Sequence, residues 1–148
     1  MFFESEVFKI FALVWLAMIA TGFWESRVEG KNAWDKGKIG WKLRYERRVL
    51  LTEYHFWLFL VMIPAFMAIP LVLNYSKELL GILISAYFSG LIVEDFTWFV
   101  VNPRFPFKDF DPKHAKWHVW FKFKGLAIPA SYVIAITLSI GSWYFLWR

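Results

Sequence analysis

The chain has 148 residues, of which 59% are hydrophobic, 22% aromatic and 20% charged, and its mean hydropathy is +0.44. A soluble domain averages about 45–50% apolar residues, so a single domain of this size cannot hide the surplus in its own core, and membrane insertion is the expectation. There is no cysteine. That excludes a disulfide scaffold, a thiolate nucleophile, Cys-ligated zinc and an iron–sulfur cluster.

The expected fold class is all-α integral membrane, a single membrane domain of four transmembrane helices. Four segments approach the ~20 apolar residues needed to cross a bilayer. The first runs from about Phe8 to Trp24, with Glu4 and Glu6 before it where a signal peptide would carry positive charge. The second, Phe56 to Leu73, is uncharged and contains Pro64 and Pro70. A short turn, Asn74 to Glu78, predicts that it pairs antiparallel with the third, Leu79 to Val101. The fourth runs from Gly125 to Trp147. Gly81, Ser85 and Ser89 in the third span and Ala127, Ser131, Ala135 and Ser139 in the fourth recur every four residues. Such small-residue stripes let helices approach closely, which predicts that these two spans pack together.

Fourteen of the 17 Lys and Arg residues fall in the two connecting segments, about 25–55 and 102–124, leaving Lys9, Lys77 and Arg148 elsewhere. The positive-inside rule puts both segments in the cytoplasm and both termini outside. The net charge of +5 is then explained by this asymmetry and by anionic lipid, with no nucleic-acid partner implied. Trp41 to Leu51 reads as a basic helix leading into span two. Asp111-Pro112 reads as an N-cap with proline at the first helical position. It would open a helix over about 112–124, with lysines among Trp117, Trp120, Phe121 and Phe123, lying in the membrane interface.

The chemistry-bearing residues gather at one membrane depth. Glu94 and Asp95 lie about two turns inside the end of span three, where ionisable groups cost energy and mark functional sites. At ~100° per residue Asp95 lies toward the Gly81-Ser85-Ser89 stripe and Glu94 nearly opposite that stripe, so span three must be central in the bundle or buried in an oligomer. His55, with Glu53 just before it, begins span two. On a helix, His114 and His118 would share one face. His114, His118, Glu94, Asp95, His55 and Glu53 together form a candidate ligand set for one divalent transition metal, Zn, Fe or Mn. Arg104, Lys108 and Lys122 are candidates for holding an anionic lipid headgroup.

Competing readings have the acids in ion pairs with Arg104, Lys122 or Arg47-Arg48, or serving a proton or headgroup site. The leading functional expectation is a membrane metalloenzyme acting on lipid or another amphiphile. The alternative is a non-catalytic accessory subunit of a larger membrane complex, or a homo-oligomer built through the small-residue stripes. Cation or proton transport ranks behind both, because span two carries no charge, span four none until Arg148, and the outer half of the bundle offers no polar path beyond Ser85, Ser89, Ser131 and Thr137. No Gly-x-Gly-x-x-Gly or phosphate-binding loop occurs, so no nucleotide is expected.

Overall fold

A computed structural model describes residues 4–31, 33, 40–45 and 48–148. Four helices are long and apolar enough to cross a membrane: α1 (Glu4–Glu29), α2 (Glu53–Leu73), α3 (Lys77–Val101) and α4 (Ala130–Trp147). Two small antiparallel hairpins join them, β1 (Lys42–Tyr45) with β2 (Arg48–Thr52) before α2, and β3 (Trp120–Phe123) with β4 (Leu126–Pro129) before α4.

α3 is the central element, with 44% of its most apolar window buried against 6–11% for the other three. α1 packs parallel to it through glycines. A Cβ on Gly22 would lie 2.5 Å from the Glu94 carbonyl oxygen, and one on Gly90 would lie 2.9 Å from Met18 Cγ. Where both helices end, Arg27 Nη1 donates to the Val101 carbonyl at 2.7 Å and Asn102 Nδ2 to the Gly30 carbonyl at 2.6 Å.

α4 runs antiparallel on another side of α3, along the expected stripe. Ser85 Oγ donates to the Ser139 carbonyl at 2.8 Å, and Ser139 Oγ returns a bond to the Ser85 carbonyl at 3.0 Å. One turn further, Ser142 Oγ donates to the Gly81 carbonyl. A Cβ on Gly81 would come within 2.5 Å of Leu146 Cβ, so glycine sets this approach. Where hydrophobicity cannot drive helix association, close backbones and such bonds do.

α2 is held more loosely. Ser76 caps α3 by accepting from Leu79 N, closing the expected short turn, and Tyr87 reaches the Phe59 carbonyl. Most of α2 faces outward, with Val72 85% and Leu73 82% exposed. Its segment Phe56–Met62 is wound as a π-helix.

Two expected helices are absent. The described part of Trp41 to Leu51 is the β1–β2 hairpin, with a bulge between Leu43 and Arg44, and Glu46 and Arg47 lie outside the described residues. Val49, Leu50, Leu51 and Thr52 suit a pleated surface better than a helix. Nor is there an interfacial helix over 112–124. Asp111 Oδ1 accepts from the backbone N–H groups of Lys113 and His114, as an N-cap would, but the chain makes turns instead of continuing. Trp120-Phe121-Lys122-Phe123 then forms β3. Lys124 (φ 46°) and Gly125 (φ 86°) supply the two positive φ angles that a tight two-residue hairpin turn requires. α4 accordingly starts after Pro129, five residues later than expected.

The segment after α3 folds back over the end of that helix as an aromatic cap. Phe99 stacks parallel on Trp117 at 6.0 Å and meets Phe110 at 4.5 Å, with Trp98 and Phe105 completing the cluster. This cap carries His118 into the bundle.

Candidate metal centre

One cavity of about 480 Å³ lies between α1, β2, α2, α3, α4 and the aromatic cap, and six acidic and histidine side chains line it: Glu25, Glu29, His55, Glu94, Asp95 and His118. Its remaining wall is mostly apolar, including Phe59, Leu60, Leu91, Ile92 and Ile134.

Glu25 and Glu29 are four residues apart on the last turns of α1, which puts both carboxylates on one helical face. Both side chains are buried. His55, just inside α2, points its Nε2 at them, 3.9 Å from Glu25 Oε1 and 3.7 Å from Glu29 Oε1. The three residues each offer a ligand atom, all within 4.8 Å of one another. The far ring nitrogen, Nδ1, is held by Thr52 Oγ1 at 2.5 Å. Thr52 is itself fixed as the cap of α2, its hydroxyl accepting from His55 N. Tyr54 OH donates to Glu25 Oε1. Such outer partners orient metal-ligating imidazoles and carboxylates.

On α3, Glu94 is buried against α1, its carboxyl in contact with that of Glu25. Glu94 Oε1 has no hydrogen-bond partner. The neighbouring Asp95 turns to the α4 side, where Tyr132 OH donates to its Oδ2 at 2.7 Å and His118 Nε2 stands 3.5 Å from the same oxygen. His118 Nε2 is buried and makes no hydrogen bond.

These His–carboxylate separations of 3.5, 3.7 and 3.9 Å share a meaning. They exceed the ~2.7–3.2 Å of an N–H···O hydrogen bond. Two ligands bonded at ~2.0–2.1 Å to one tetrahedral ion stand about 3.3 Å apart. The separations lie in the range of ion pairs and somewhat above the spacing of two ligands on one ion.

Of the residues singled out in the sequence, His55, Glu94, Asp95 and His118 therefore meet in one cavity. His114 and Glu53 do not join them. His114 Nδ1 pairs with Asp111 Oδ2 at 2.7 Å on an exposed surface, and without a helix it shares no face with His118. Through this bond first, and through the backbone N–H groups that Asp111 also accepts, the Asp111 carboxyl is held below its ordinary pKa. Glu53 closes the base of the first hairpin, accepting from Trp41 N at 3.0 Å while its own N–H donates to the Trp41 carbonyl.

Arg104, Lys108 and Lys122 lie exposed and do not line the cavity. Among the described residues no salt bridge joins Arg104 or Lys122 to Glu94 or Asp95. Arg47 and the Arg48 side chain, the other expected partners, lie outside the described residues.

Glu25 and Glu29 are absent from the sequence-derived set. Their signal was the Glu-x-x-x-Glu spacing, which marks one helical face only if α1 continues past Trp24. Comparison with protein-family models, curated proteins and solved structures returned no match to this chain.

Proposed function

We propose that this chain is an integral membrane protein that binds a divalent transition metal at the inner interface and acts there on a lipid or another amphiphile. The observation that carries the reading is the Glu25–Glu29–His55 cluster, three ligand atoms within 4.8 Å, with Thr52 on the far nitrogen of the imidazole. Imidazole with carboxylate oxygens suits Zn, Fe(II) or Mn.

The membrane setting rests on the four apolar helices, and the inner side on the fourteen basic residues that the sequence carries in its two connecting segments. The amphiphile follows from the cavity, which combines this polar end with an apolar wall. A headgroup would meet the metal while an alkyl chain lies along Leu60, Leu91 and Ile134. Bound metal would supply a Lewis acid or an activated water.

The test is thermal unfolding of chelator-stripped protein in detergent, with Zn(II), Mn(II) or anaerobic Fe(II) added. A ligand at a hundredfold excess over its Kd stabilises by ~2.7 kcal/mol. The reading predicts a rise of several degrees with at least one metal, lost in His55→Ala and in Glu29→Gln. No shift with any metal would favour an accessory subunit instead.

A further inference from the structure

The β3–β4 hairpin has one face turned to the protein and one turned away from it. Cross-strand partners project to the same side of a sheet, and successive residues alternate. The pairs Phe121–Ile128 and Phe123–Leu126 therefore share one face, while Trp120 and Lys122 lie on the other. Trp120 fixes its face to the aromatic cap, its ring 5.3 Å from Phe110 and its Nε1 donating to the Ala115 carbonyl at 2.9 Å. The apolar face stays open, with Phe121 55%, Phe123 73% and Leu126 60% exposed. We propose that this hairpin is a membrane anchor, its apolar face entering the headgroup layer of an anionic leaflet while its lysines bind lipid phosphate. The inference rests on the membrane setting proposed above and is independent of any metal.

Three observations choose lipid as the occupant. First, β4 passes directly from Pro129 into α4 at Ala130. At ~3.3 Å per residue, Leu126 lies no more than ~10 Å from Pro129, so the tip is tethered beside the point where α4 enters hydrocarbon. Secondly, the charge is complementary. Lys122 and Lys124 are exposed next to the apolar residues, and Lys124 Nζ lies 5.4 Å from the centre of the Phe123 ring. The whole segment from 102 to 124 carries six Lys and Arg residues against two acids, Asp109 and Asp111. A lysine at the surface of an anionic leaflet strengthens binding about fivefold. Thirdly, phenylalanines beside lysines suit an interface, because a lysine stem can lie along apolar surface while its ammonium reaches the headgroups. Since Trp120 packs on the aromatic cap, the anchor would also fix the height of the cap that carries His118.

The chain has no cysteine, so single cysteines can be introduced and spin-labelled one at a time in full-length protein. In nanodiscs, accessibility to oxygen, which concentrates in lipid, is compared with accessibility to a water-soluble nickel complex. Labels at Phe123→Cys and Leu126→Cys are expected to meet oxygen, and one at Lys122→Cys the nickel complex. Leu13→Cys, at an exposed position of α1, is the lipid reference. The label at position 123 is expected to sit deeper when phosphatidylglycerol is added to phosphatidylcholine, and the double variant Lys122→Gln, Lys124→Gln to lose that difference. A label at 123 that meets the nickel complex as readily as one at 122, with Leu13→Cys in lipid, would overturn the anchor and leave the membrane setting intact. Labels at 123 and 126 hidden from both reagents would show protein on this face, a second copy or a partner, and would overturn it equally. The same depth in both bilayers would overturn the choice of an anionic leaflet. A Leu13→Cys label reached by the nickel complex would overturn the membrane setting itself.

Discussion

His55 Nε2 stands 3.7 Å from Glu29 Oε1, beyond a hydrogen bond and close to the separation of two ligands on one ion, while Thr52 holds the opposite ring nitrogen at 2.5 Å. A metal on Nε2 requires the proton on Nδ1, where the Thr52 hydroxyl accepts it. The cap of α2 thereby becomes part of the site.

Thr52→Val should therefore weaken metal binding about 10- to 100-fold, the usual effect of losing an outer partner. Thr52→Ser should retain it. Competition against a chelator of known affinity measures the difference, and equal affinity in both variants would separate Thr52 from the site.

Gly22 sets the distance between α1, which carries Glu25 and Glu29, and α3, which carries Glu94 and Asp95. A Cβ there meets the Glu94 backbone carbonyl, which cannot rotate away. Gly22→Leu should cost ~1–3 kcal/mol by overpacking and also reduce bound metal. Gly90→Ala should be milder, because its neighbour is the flexible Met18 side chain. Thermal melts with metal analysis on the same samples check both.

Outside the site, His114 and Asp111 form an exposed pair that should be indifferent to metal. His114→Ala should leave the metal content unchanged. The Asp111 carboxyl titrates below its unfolded value, so its contribution is complete above about pH 4 and is lost as pH falls through the lowered folded value. Asp111→Asn should remove that acid-limb dependence and leave stability at pH 7 little altered, because the pair is exposed to solvent. Stability measured between pH 2 and 7 for both proteins gives the comparison.

Along the apolar wall of the cavity, Ile134→Trp would fill the space assigned to an alkyl chain. Metal content should persist while affinity for an added amphiphile falls by about tenfold or more, a loss of ~1.4 kcal/mol. Mass spectrometry of protein carrying bound lipid reads this out, and undiminished lipid binding would place the chain elsewhere.

The spans and the α3–α4 contact were legible because hydropathy and four-residue spacing report directly on helices. Span three also proved central, as two acids pointing to different sides of it required. The hairpins are not legible in the sequence, for a physical reason. Trp120-Phe121-Lys122-Phe123 contains both an amphipathic helix pattern and a period of two, and the turn that decides between them, Lys124-Gly125, carries its information in positive φ angles. Glu25 and Glu29 are not legible as site residues because hydrophobicity ends at Trp24 while the helix continues to Glu29. Charged residues at the end of an apolar helix look like a loop until another element packs against them. His118 was legible as a candidate ligand, but its separation from His114 was not, since it depends on the turns after Asp111.

The most direct measurement is elemental analysis of full-length protein extracted from membranes in detergent, never exposed to a nickel column, beside His55→Ala and Glu94→Gln. The account predicts near-stoichiometric Zn, Fe or Mn in the wild type and a marked loss in both variants. Metal-free wild type, or metal that persists in both folded variants, would contradict it.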